Sequence, residues 1–122
     1  MDTKIKNMEQ LEKMVKNGKL EIDGNLIICC DIYIPKVKII VLGSIISNKE
    51  KFNISASIIV AKNIINVKKI STYGNIHTPH NGTIEAEEID AHKVTGKEII
   101  NVKKINIEDI NVSYLNGHKL DK

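Results

Sequence analysis

Ile84-Glu-Ala86-Glu-Glu88, Ile89-Asp-Ala91-His-Lys93, Val94-Thr-Gly96-Lys-Glu98, Ile99-Ile-Asn101-Val-Lys-Lys104, Ile105-Asn-Ile107-Glu-Asp109, Ile110-Asn-Val112: this stretch sets the rule for the chain. Each unit opens with a large aliphatic, usually β-branched, residue. A second apolar or small residue mostly follows two positions later, and then a polar pair. Spacing of i, i+2 puts both residues on one side of a short strand. The polar pair turns a corner, and the next unit begins. This is the pattern of a β-solenoid read one face at a time.

Working outward, the same units open at Leu20, Leu26, Ile32, Ile40, Ile45, Ile54, Ile59, Ile64, Ile70 and Ile76, and end at Leu115. Three units per turn of the chain restore self-similarity. Ile39-Ile-Val-Leu-Gly-Ser-Ile-Ile-Ser47 aligns with Ile58-Ile-Val-Ala-Lys-Asn-Ile-Ile-Asn66. Ile64-Ile-Asn-Val-Lys-Lys-Ile70 recurs letter for letter at Ile99–Ile105, two coils later. Repeats at this spacing mark a solenoid. The expected fold is all-β: a single-stranded, three-sided, right-handed parallel β-helix over residues 19–122. It would have five to six coils of about 18 residues, stacked at roughly 4.8 Å each. Residues 32–39, 45–53 and 76–83 hold Pro35, an Asn-Lys-Glu-Lys run, and Pro79 with Asn81-Gly82, and read as bulging corner loops.

The strict six-residue step of left-handed hexapeptide acyltransferases is not kept. Pentapeptide-repeat proteins reverse the order of small and large residues. The short alternating units Ile84-Glu-Ala-Glu-Glu-Ile89 and Val94-Thr-Gly-Lys-Glu-Ile99, with Ala86, Ala91 and Gly96 at tight positions, resemble bactofilins. Those are small bacterial cytoskeletal proteins built on a three-sided β-helix of similar length. The resemblance covers roughly residues 20–115 and implies a scaffold that polymerises through uncapped ends.

Segment 1–18 reads differently. In Asn7-Met-Glu-Gln-Leu-Glu-Lys-Met-Val-Lys-Asn17, Met8, Leu11 and Met14 or Val15 share one helical face. Asn7 is the expected N-cap, and Gly18 the stop. A helix of about three turns is marginal alone. It is expected to dock on the open end of the solenoid as a cap, where it would block edge-to-edge association.

Composition supports the narrow, stacked interior. The 122 residues include 24 isoleucines, one Phe, three Tyr and no Trp. A net charge of +3, with Lys interleaved with Glu and Asp, provides no basic arm for nucleic acid. The first ten residues are polar and charged and read as no secretory signal. The longest apolar stretch, 39–46, is too short to span a bilayer. Cys29-Cys30 is no CxxC pair, and one thiol buried beside one exposed is the expected arrangement. Together these point to a cytoplasmic protein with reduced thiols.

Candidate chemistry is sparse. His77, His80 and His92 gather near one loop, and an H-x2-H pair can hold zinc, but no Cys or carboxylate accompanies it at ligand spacing. A solvated loop is the better reading. Glu85, Glu87 and Glu88 have the residue types of a glycosidase pair without the long, aromatic-lined groove such enzymes use. The preferred reading of the charged pairs is structural. Lys68-Lys69, Glu87-Glu88 and Lys103-Lys104 fall at one corner of three successive coils, and His92-Lys93 beside Glu108-Asp109 at another.

The sequence therefore predicts a non-catalytic interaction or assembly module, with no cofactor and no metal. If Leu26, Ile45, Ile64, Ile84 and Ile99 point inward, then Ile27, Ile46, Ile65 and Ile100 line an outer face, with Val41 and Val60 on the next; in the alternative register Ile65 and Val67, like Ile100 and Val102, face inward and Asn66 and Asn101 face out. A homodimer, or a dedicated protein partner, is expected on that stripe. The alternatives are a protein inhibitor encoded by a phage or mobile element, and a small enzyme or metal-binding protein using His77, His80 and His92.

Overall fold

The computed structural model describes residues 1–120. In chain order the elements begin with β1 (Asp2–Ile5), α1 (Met8–Glu12), β2 (Lys19–Ile22), β3 (Asn25–Ile28) and β4 (Ile32–Val41). Next come β5 (Ile45–Ser47), β6 (Asn53–Val60), β7 (Ile64–Thr72), β8 (Asn75–His77) and β9 (Thr83–Thr95). The chain closes with β10 (Glu98–Ile100), β11 (Lys104–Asn111), β12 (Tyr114–Leu115) and β13 (His118–Lys119). All pairings between these strands are parallel except β12 with β13. The fold is a three-sided β-solenoid, and the longer strands bend around corners to serve two sides.

Each side carries an inward column of large aliphatic residues in register. On side A it runs Thr3, Leu26, Ile45, Ile64, Ile84, Ile99, Leu115. On side B it runs Ile32, Ile54, Ile70, Ile89, Ile105. On side C it runs Leu20, Ile39, Ile59, Ile76, Val94, Ile110. Most members are fully buried. Stacked β-branched side chains interdigitate with little rotamer cost in strands, which is why isoleucine dominates. The unit opening on side C is Ile39 rather than Ile40, one residue from the sequence reading.

The exact repeat explains itself in three dimensions. Its two copies lie above and below the rung Ile84–Ile89. In each copy the first isoleucine points in, the second points out, and the asparagine turns the corner. Asn66 and Asn101 adopt φ of 61° and 59°. Asparagine is among the few non-glycine residues that take this left-handed conformation. The extra corner residue resets the alternation, so Val67 and Val102 point inward again and both asparagines stay at the surface. Glu85, in the rung between, ties both corners. One carboxylate oxygen accepts the Asn66 backbone N–H at 3.0 Å, and the other accepts the Asn101 side-chain amide at 2.6 Å.

The charged corners stack as expected except at Glu87, which takes Lys51 rather than Lys68 on one side. Glu87 pairs with Lys51 at 3.2 Å and Lys103 at 3.5 Å, and Glu88 with Lys69 at 3.8 Å. His92 meets Glu108 at 2.9 Å, and Lys93 meets Asp109 at 3.9 Å. The hydrogen bond and charge of Lys51, with Lys103 behind them, hold the Glu87 carboxyl below its ordinary value of 4.5. A depressed carboxyl adds stability above that value and loses it as pH falls through the folded pKa. The urea midpoint of the protein should therefore fall more steeply below about pH 4.5 than that of Glu87→Gln. Equal slopes would contradict the stacked corner.

The ends differ from expectation. The N-terminal segment supplies a strand as well as a helix: β1 pairs with β3 and adds a rung to side A. The helix is shorter than residues 7–17, spanning Met8–Glu12 only. Asn7 caps it, its side chain accepting the Gln10 N–H at 2.8 Å. The helix stops early because Asn17-Gly18, both at positive φ, form a tight turn that pairs Lys16 with Lys19. It takes the place of a side-B strand in the first coil. Leu11 is buried in the core, and the Met8 sulfur accepts the Tyr33 N–H at 3.4 Å. At the other end Asn116-Gly117 forms a second such turn and folds β13 back over β12. There Ile105, Ile107 and Ile110 are only half-buried.

Candidate functional site

The outward residues of side A form a row in register: Lys4, Ile27, Ile46, Ile65, then Glu85, with Ile100 beyond it. The four isoleucines are half-buried, and Ile27, Ile46 and Ile65 shield one another. Ile100 is cut off from the other three by Glu85. Side C exposes Ile40 and Val60 in the equivalent row, both half-buried. Val41 does not belong to this surface. It is 2% exposed, because Ile39 and Val41 both point inward and Ile40 lies between them.

Between these two sides the coil turns at Leu42, which is 68% exposed. The coil 39–47 thus presents Ile40, Leu42 and Ile46 outward in succession. The neighbouring coils place Asp23 and Lys62 at the same corner, both exposed. Sequence reasoning missed Leu42. The signal available was a large apolar residue directly before Gly43, at a corner that is otherwise polar.

Beside this surface a polar column ties the coils together. Asn25 donates to Asp2 at 3.0 Å and accepts the Ser44 N–H at 2.8 Å. Asn63 donates to the Ser44 hydroxyl at 3.2 Å and accepts the Thr83 N–H at 2.9 Å, and Thr83 donates to Glu98 at 3.1 Å. These bonds hold the apolar rows flat and in register.

The other candidates do not converge. His77 Nδ1 shares a 2.7 Å hydrogen bond with Thr95, and His80 stands in the adjoining loop, while His92 is engaged with Glu108. Among the described residues no three His, Cys, Asp or Glu side chains gather as a metal site would require. Glu85 and Glu87 are committed to the corners. Cys29 and Cys30 are both free and both half-buried, not one in and one out. Burial, with Cys29 and Asp31 alongside, pushes the Cys30 thiol up and disfavours its thiolate. Among the described residues no helix is long and apolar enough to cross a membrane. No family model matches the chain, and no curated protein or solved structure is significantly similar to it.

Proposed function

We propose that the chain is a non-catalytic assembly module that pairs side-on with a second copy of itself across the coil 39–47. The observation that carries this is the self-complementarity of the surface about that coil. The side-A row reads positive, three isoleucines, negative: Lys4, Ile27, Ile46, Ile65, Glu85. A twofold axis at Ile46 lays Ile27 on Ile65 of the second copy and Lys4 against its Glu85. At the corner Asp23 stands opposite Leu42 and Lys62 opposite the adjoining Gly43, so the two charges flank Leu42 on either side of the same coil. There Leu42 meets Leu42, and Asp23 meets Lys62. An isologous contact requires such reciprocity, and the residues that carry most of an interface's energy cluster near its centre.

The resemblance to bactofilins rests on the coil, and end-to-end growth of that kind would meet α1 at one end and the β13 hairpin at the other. Side-on pairing avoids both. The test is mass in solution by light scattering. The protein should run at twice its 13.7 kDa, and Ile46→Lys with Ile65→Lys should give a folded species of 13.7 kDa. Asp23→Lys or Lys62→Asp alone should weaken the dimer, and the two together should restore it. A wild-type mass of one chain, or a double lysine variant that unfolds, would overturn the proposal.

A further inference from the structure

Side B carries a different surface, away from the apolar rows. Its outward column runs Tyr33, Ser55, Ser71, Asp90 in paired register. A trough of about 370 Å³ lies over it, with Pro35 and Tyr73 on the rim. A second depression of about 380 Å³ continues it across Tyr33, Ser55 and Ser71. Tyr33 is 69% exposed and Tyr73 83%. Two of the chain's three tyrosines therefore project beside one groove floored by small hydroxyl residues.

The state of those hydroxyls distinguishes this column. On side A the outward polar residues bond from coil to coil, from Asp2 down to Glu98. On side C His77 bonds Thr95, and at the corners lysines meet carboxylates. Among the described residues the side-chain hydroxyls of Tyr33, Ser55, Ser71 and Tyr73 have no such partner. At the end of the floor Asp90 accepts one bond, from Asn106 at 3.3 Å, and keeps its second oxygen open.

We infer that this trough is a binding site for a short neutral oligosaccharide. A pyranose offers an apolar C–H face to the negative face of an aromatic ring, and its hydroxyls pair with serine hydroxyls and a carboxylate as both donors and acceptors. Tyr33 to Asp90 spans three rung steps, roughly 14 Å at about 4.8 Å per step, room for about two or three sugar units. Other occupants fit less well. An extended peptide adds to a sheet through main-chain bonds, and the backbone groups here are already used between rungs. A nucleic acid would bring phosphates to Asp90, and the nearby Lys69 is paired with Glu88.

The experiment is an amide-detected NMR titration with cellotriose, maltotriose and chitotriose. At least one should shift the amides of Ser55, Ser71 and Tyr73, with a dissociation constant of about 1 mM or below. Tyr33→Ala and Tyr73→Ala should each weaken binding at least about tenfold, and Tyr114→Ala should leave it unchanged. The first two side chains are exposed, so the variants keep their fold, and their spectra report it directly. No shift with any of the three sugars at about 10 mM, or shifts that survive both tyrosine substitutions, would overturn the assignment.

Discussion

Ile64→Ala is expected to destabilise the protein by about 3 kcal/mol, and Ile65→Ala, one residue along, by less than about 1 kcal/mol. Ile64 is fully buried in the side-A column between Ile45 and Ile84. Removing its side chain leaves a cavity walled by stacked β-strands, which cannot collapse far because each rung is hydrogen-bonded to the next. Ile65 points outward and is half-buried, so its loss mainly uncovers neighbours. The measurement is a urea or thermal unfolding midpoint, with a fall of roughly 10 °C for the first variant at this chain size. Equal losses for the two would mean the corner at Asn66 is misplaced.

Gly43→Ala should cost about 2–3 kcal/mol through overpacking. A Cβ there would lie 2.7 Å from the Gly24 carbonyl oxygen, 2.9 Å from its carbon and 2.3 Å from the Asn25 side-chain oxygen. The backbone atoms cannot withdraw without parting the rung bond from Gly43 N–H to Gly24 O, which is 3.0 Å. The next coil holds Lys62 at this corner, its N–H bonded to Gly43 O at 2.9 Å. The corner conformation therefore tolerates a side chain, and the cost at Gly43 is one of contact. A melting temperature unchanged by Gly43→Ala would show that the first coils stack less closely than described.

The inward columns were legible in the sequence because alternation has a period of two and isoleucine marks nearly every rung. The corner charges were legible for the same reason, since an exact repeat on either side of Glu87-Glu88 places lysines above and below. What alternation could not show was how each corner is turned. Whether the first or second isoleucine of each pair faces inward depends on the left-handed asparagines at 66 and 101. Nor did it show β1, whose Asp2–Ile5 has one aliphatic residue and pairs with a strand more than twenty positions away. Asn17-Gly18 and Asn116-Gly117 carry the Asn-Gly signal for a tight hairpin turn, and at 17–18 that signal overlaps the expected end of the helix. Leu42 is exposed by the way its corner turns, which alternation does not specify. Tyr33 and Tyr73 are forty residues apart, and uneven coil lengths hide their approach to one groove.

Side-on pairing through the outward isoleucines is tested most directly by isoleucine methyl NMR across a dilution series. The chain's isoleucines sample the inside of the solenoid throughout and the outside at Ile27, Ile40, Ile46, Ile65 and Ile100. Concentration-dependent shifts are expected only at the outward methyls of Ile27, Ile40, Ile46 and Ile65, while those of Ile45, Ile59, Ile64 and Ile84 stay fixed. Shifts at Ile105, Ile107 and Ile110 instead would move the contact to the end of the solenoid, and no shift across the series would contradict pairing altogether.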